Sequence, residues 1–204
     1  MSLNSYIAKQ FADPKGLGGH IISTVMNRQN RPLYDETQQL LFLCDTDSVL
    51  DIGCGNGFVM DMMAQQHGAV FTGSDPSDEI IQVAKRRNRK YVESQRMYFY
   101  CQGASSLSFP EASFTKAYSI NTVYFWGSLD EPMREIRRVL KPGGIFINAL
   151  YTDETLARFS HTQFGYRRYD ARQLTKAGMD VGFTVETVSI AQGAAICYMY
   201  HKNK

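Results

Sequence analysis

Between Ser48 and Met63 the sequence reads SVLDIGCGNGFVMDMM, with Gly53, Gly55 and Gly57 at alternating positions straight after an apolar run. A carboxylate, Asp51, stands two residues ahead of the first glycine, and Cys54 lies between the first two. A glycine turn between a strand and a helix lets a ligand come against the backbone, and several cofactor classes use one. Two classes are excluded by missing residues. A dinucleotide turn, G-x-G-x-x-G, needs its third glycine where this chain has Phe58, and a P-loop needs Gly-Lys-Ser/Thr, of which the stretch has neither the lysine nor the hydroxyl.

A second carboxylate belongs with the first. Asp75 follows Gly53 by 22 residues, at the end of AVFTGSD, where a doubly wound fold places an acid to accept the hydroxyls of a ribose. The turn and the acid fit one ligand.

Such groups must be positioned by alternating strands and helices. Apolar runs of strand length, SVLDIG, AVFTGSD, MYFYC, KAYSIN, GIFINALY, FTVETVSI and AICYMYH, are separated by helix-patterned segments at 57–67, 77–91, 129–140 and 170–177. This predicts an α/β fold, a Rossmann-like doubly wound sheet of seven strands with helices on both faces. The sheet is expected to be mostly parallel with one antiparallel C-terminal strand, since only AQG separates the last two runs. Ser77 is placed to cap the second helix, and Ser128 with Glu131 has capping-box spacing before the third. Residues 4–47 read as a helical preface or lid ahead of a core at 48–201, within one domain of 1–204.

The bulk numbers are those of an ordinary globular protein: 204 residues, 44% hydrophobic, formal charge +2 at pH 7. That balance argues against a wholesale electrostatic grip on nucleic acid. Cys44, Cys54, Cys101 and Cys197 form no C-x-x-C pair and no zinc spacing, so no metal is expected and the cysteines read as reduced and cytoplasmic. No apolar run approaches the roughly 18 residues of a membrane span.

The glycine stretch, D-x-G-x-G-x-G, resembles motif I of the class I S-adenosylmethionine-dependent methyltransferases. The resemblance continues through QGASSLSFPEASFTKAYSINTVYFW, EIRRVLKPGG and YDARQLTKAGMDVGFTVETVSI, covering about 48–201. It implies S-adenosyl-L-methionine as cofactor, with Asp51, Gly53, Cys54 and Gly55 under its methionine and ribose and Asp75 on the ribose hydroxyls. Pro76, Gly103, Ala104, Ser105 and Asn121 would complete its binding site. Gly103 stands where many relatives have an adenine-binding aspartate, and Thr115 replaces another acid ahead of the fourth strand. The words QF-x-x-P-x-G and MN-x-x-N in the preface look like a bacterial small-molecule branch related to ubiquinone and menaquinone methylation.

Methyl transfer from a sulfonium needs alignment and water exclusion more than a catalytic triad. Residues after the fourth strand lie beside the ligand crevice, so Asn121, Tyr124 and Trp126 are the acceptor-pocket candidates, joined by His20 in the preface and, more weakly, Tyr151 and Phe164. The acceptor expected is a small organic molecule. NTVY also resembles the Asn-Pro-Pro-Tyr signature of nucleobase methylation, and Lys85, Arg86, Arg87, Arg89 and Lys90 form a basic run, so nucleic acid is the alternative. A non-catalytic cofactor-binding regulatory domain is a third reading.

Overall fold

The structure, a computed structural model, describes residues 26–204. His20 and the first half of the proposed preface, residues 4–25, therefore lie outside the described residues. Helix α1 (Arg31–Leu41) leads into β1 (Ser48–Ile52), α2 (Phe58–Ala64), β2 (Val70–Asp75), α3 (Asp78–Arg87), α4 (Arg89–Glu93), β3 (Met97–Cys101) and β4 (Phe114–Ile120). Then come α5 (Asp130–Val139), β5 (Leu140–Tyr151), the short α6 (Asp153–Ala157), α7 (Ala171–Asp180), β6 (Phe183–Ile190) and β7 (Ala195–Lys202).

The seven strands form one sheet in the order β3-β2-β1-β4-β5-β7-β6, parallel except for β7, which runs antiparallel to both β5 and β6. Side chains alternate between two cores, as strand geometry requires. Val49, Tyr118, Ile147 and Cys197 point to the face covered by α1 to α4, whereas Leu50, Phe146, Leu150 and Tyr200 point to the face covered by α5 to α7. The expected α/β sheet, its antiparallel last strand and its two helical layers are all present.

Local boundaries differ from expectation in three places. The helix expected over 77–91 breaks at Asn88, whose buried amide donates to Ala84 O at 3.0 Å and Gly57 O at 3.1 Å. One side chain thereby ends α3 and pins the glycine turn. Ser77 sits at the N-cap of α3 but provides no side-chain cap; its own N–H goes to Asp75 Oδ1 at 3.0 Å. Ser128 bonds the Glu131 carboxylate, but the N-cap of α5 is Leu129, which has no side-chain cap, so the reciprocal backbone bonds of a capping box are not made there. The full capping box belongs to α7, where Asp170 accepts the N–H of Gln173 at 2.7 Å and Gln173 returns the bond at 2.9 Å.

The order of strands reverses between β1, which continues to β2 and β3, and β4, which continues to β5. This switch point leaves a crevice at the carboxyl ends of the strands. The glycine turn leaves β1 there.

Candidate active site

Gly53 adopts φ 77° and Gly55 φ 52°, backbone that L side chains rarely take. The two glycines serve different needs. A Cβ on Gly53 would lie 2.4 Å from Thr122 Cγ2, so this glycine lets β4's end pack on the turn, while a Cβ on Gly55 would meet no protein atom within 4 Å. The turn is tied to β2 by Gly53 N and Cys54 N, which both donate to Ser74 O at 2.8 and 3.0 Å, and by Gly55 N, which donates to Asp75 Oδ2 at 3.1 Å. Asp75 thus holds the Gly55 N–H with one oxygen and the Ser77 N–H with the other.

Asp51 is buried at the end of β1, opposite Tyr118 in the register with β4, and accepts the Tyr118 hydroxyl at 2.8 Å. Burial pushes its carboxyl up to about 7, the Tyr118 hydrogen bond pulls it down, and the charge of Asp75 pushes it up again. Burial likewise holds the Cys54 thiol well above its ordinary range, so Cys54 is an uncharged wall residue.

A cavity of about 400 Å³ opens over this turn, within the size range of small-ligand sites. Its lining includes Asp51, Gly53, Cys54, Gly55, Asp75, Pro76, Gly103, Ala104, Ser105, Asn121, Tyr124 and Trp126, so the described cofactor candidates and the three leading acceptor candidates are brought together. Tyr151 lines it too; Phe164 does not, being an exposed residue beyond α6. Gly103, like Gly55, has open space where a Cβ would be. Of the other histidines whose side chains are described, His67 meets Gln38 at 3.3 Å and His201 approaches Glu186 at 3.9 Å, and neither lines the cavity.

The wall contributed by β4 and β5 is aromatic and polar. Asn121 takes φ 57°, and its Oδ1 accepts the Tyr151 N–H at 3.3 Å and the Tyr124 hydroxyl at 3.4 Å. The Tyr124 hydroxyl also reaches Tyr151 O at 3.2 Å, and burial raises its pKa. Tyr166 packs on Tyr124 and Phe125 with centroids 5.3 and 4.9 Å apart.

The sequence reading missed the part that α1 and the residues before it supply. Tyr151 Oη donates to Asn30 Oδ1 at 2.8 Å, Asn30 Nδ2 donates to Tyr34 Oη, and Tyr34 Oη donates to Asn27 Oδ1, both at 3.4 Å. All four residues line the cavity. The signal was the MN-x-x-N spacing, which puts Asn27 and Asn30 on one helical face.

The basic run is exposed along the end of α3 and on α4; Arg89 pairs with Glu93 at 2.6 Å, and Arg87 lies over the Phe58 ring at 5.6 Å. None of its five cations lines the cavity.

Residues 50–148 match the family model described as a methyltransferase domain. The matched segment is a methyltransferase domain of the class I S-adenosylmethionine-dependent type. In an alignment of 151 positions that covers 67% of the chain, it is 29% identical to 24-methylenesterol C-methyltransferase 2 of Oryza sativa subsp. japonica, of which it spans 41%. Over 122 residues, 60% of the chain, it is 30% identical to 27-O-demethylrifamycin SV methyltransferase of Amycolatopsis mediterranei, of which it spans 45%. The chain thus matches less than half the length of these relatives. Among solved structures, the geranyl diphosphate C-methyltransferase of Streptomyces coelicolor superposes with a TM-score of 0.73 at 14% identity over 96% of this chain and 87% of that one. The cyclase SpnF gives 0.72 at 20% over 84% and 80%. These two likenesses concern the fold alone.

The Thr115 hydroxyl donates to Asp47 Oδ1 at 2.6 Å and accepts the Ser48 N–H at 3.1 Å, lacing the start of β1 to β4 outside the cavity lining.

Proposed function

We propose that this chain is a methyltransferase that binds S-adenosyl-L-methionine on the glycine turn and transfers its methyl group directly to a small organic acceptor. The observation that carries the reading is paired open space: an added Cβ at Gly55 or Gly103 meets no protein atom, and both positions line one cavity beside the Asp75 carboxylate. Backbone laid bare on two sides of an acid fits a ligand with a sugar diol between two flat or extended ends.

In this reading Asp75 accepts the ribose hydroxyls while its bonds to the Gly55 and Ser77 N–H groups fix its orientation. Pro76, Ala104, Ser105 and the backbone at Gly103 enclose the adenine, and Asp51 with Gly53 and Cys54 underlies the methionine portion. Bound there, the cofactor supplies a methyl group already activated by its sulfonium. Asn121, Tyr124 and Trp126 hold the acceptor, and their buried surroundings keep water out. The free cysteines suit a reducing, cytoplasmic setting.

Titration calorimetry tests this reading. S-adenosylmethionine and S-adenosylhomocysteine should each bind at one site, whereas ATP and NAD should not; binding of either nucleotide with no binding of the sulfur compounds would overturn it.

A further inference from the structure

The strand order divides the cavity in two. The glycine turn, Asp75 and Gly103 come from the ends of β1, β2 and β3, while the aromatic wall comes from the ends of β4 and β5, on the other side of the switch point. Resting on the methyltransferase reading, the second half is the acceptor's.

Its electrostatics are one-sided. Among the described residues, no Lys, Arg or His lines the cavity, and its two carboxylates, Asp51 and Asp75, lie on the cofactor side of the switch point. Phenol protons are directed into the protein: Tyr118 gives its proton to Asp51, Tyr124 to Tyr151 O and Asn121 Oδ1, and Tyr151 to Asn30 Oδ1 and Gln29 O. The oxygens of Tyr124 and Tyr151 therefore meet a ligand as lone-pair acceptors. The aromatic side chains of Tyr124, Phe125, Trp126, Phe159 and Tyr166 line this half, and a cation is attracted to the face of such rings.

Such a wall repels a carboxylate or phosphate and favours a positive charge. We propose that the acceptor is a flat heterocycle bearing an uncharged ring nitrogen, methylated at that nitrogen to give a cationic product. The nitrogen lone pair forms the new N–CH3 bond, the C–S bond breaks with its electron pair returning to sulfur, and the sulfonium charge passes to the ring nitrogen. No proton is released, so the reaction asks for no general base, and none of the described cavity residues is a histidine or lysine. The polar oxygens and Asn121 argue for a heteroatom acceptor over a bare hydrocarbon, and the cluster of aromatic side chains argues for one with an aromatic ring of its own.

The test uses three probes of one shape on the full chain saturated with S-adenosylhomocysteine: N-methylquinolinium, the uncharged 1-methylnaphthalene and the anionic 1-naphthoate, with Trp126 fluorescence and calorimetry as readouts. The cation should bind at least tenfold tighter than the neutral isostere and the anion weakest. Tyr166→Leu should reduce that preference several-fold, while Tyr166→Phe, which keeps the ring, should preserve it. Equal binding of cation and neutral probe, stronger binding of the anion, or binding of none to the saturated protein overturns the inference. Failure of S-adenosylhomocysteine itself to bind would instead strike the methyltransferase reading.

Discussion

Asp75 Oδ2 accepts the backbone N–H of Gly55 at 3.1 Å, so the acid at the end of β2 sets the shape of the turn at the end of β1 as well as facing the cavity. The same carboxylate accepts the Ser77 N–H at 3.0 Å through its other oxygen. Cofactor contact and local structure are coupled in one side chain. Asp75→Ala should weaken S-adenosylhomocysteine binding by about tenfold to a hundredfold, because charge-assisted bonds contribute about 1.5–3 kcal/mol each. It should also lower the melting point of the unliganded protein. Asp75→Asn keeps one acceptor and should cost less in both. Calorimetry beside thermal melts separates the effects: lost stability with unchanged affinity would leave Asp75 a purely structural residue.

Gly53 and Gly55 should fail differently when given a methyl group. Gly53→Ala drives its Cβ into Thr122 and should lose about 1–3 kcal/mol of folding stability. Gly55→Ala has open space but an unfavourable backbone, costing about 1 kcal/mol, and intrudes where the ligand lies. Denaturant melts and calorimetry on both variants check this: the stability loss should be larger at Gly53, and Gly55→Ala should retain its fold yet bind several-fold more weakly. Unimpaired binding at Gly55 would place the ligand elsewhere.

Much of this was legible from residue types. Apolar runs of strand length placed all seven strands, because strands covered by helices on both faces need apolar side chains on both, and the cavity candidates from Asp51 to Trp126 follow from their positions at strand ends. Asn88 was not legible as a helix breaker: its effect comes from a long-range bond to Gly57 O that no local pattern reports. Phe164 was misplaced because proximity to β5 in sequence does not fix which way the chain turns after α6. The Asn27, Asn30 and Tyr34 network was visible only as helical spacing until Tyr151, far along the chain, supplied its partner.

Asp51 predicts a pH dependence. Its folded pKa is raised to about 7, above the ordinary carboxylate value of about 4, so the folded state holds a proton that the unfolded chain gives up. The resulting stabilisation is fully present below about pH 4 and is lost as pH rises through about 7. Asp51→Asn, which keeps an acceptor for Tyr118 and never ionises, should escape that loss. The melting point of Asp51→Asn relative to the parent should therefore rise by several degrees between pH 5 and pH 8. A difference that stays flat across that range would show that Asp51 titrates as an ordinary acid.

Asn121 combines a left-handed backbone with three side-chain bonds. Asn121→Gly and Asn121→Ala both lose the bonds, but only alanine is strained at φ 57°, so the glycine variant should be the more stable by about 1 kcal/mol. Both should loosen Tyr124 and Tyr151 and weaken acceptor binding while leaving cofactor affinity within a few-fold of the parent. Equal stability of the two variants would remove the backbone argument.

The central claim is that one cofactor lies over Gly55 and against Asp75 and Gly103, with its reactive sulfur turned toward Asn121, Tyr124 and Trp126. A crystal structure with S-adenosylhomocysteine bound measures this directly. The account predicts ribose hydroxyls within hydrogen-bond distance of the Asp75 carboxylate, adenine beside Gly103 and Ser105, and the sulfur open to the aromatic wall. Density for the ligand outside this cavity, or a sulfur turned away from β4 and β5, would contradict it.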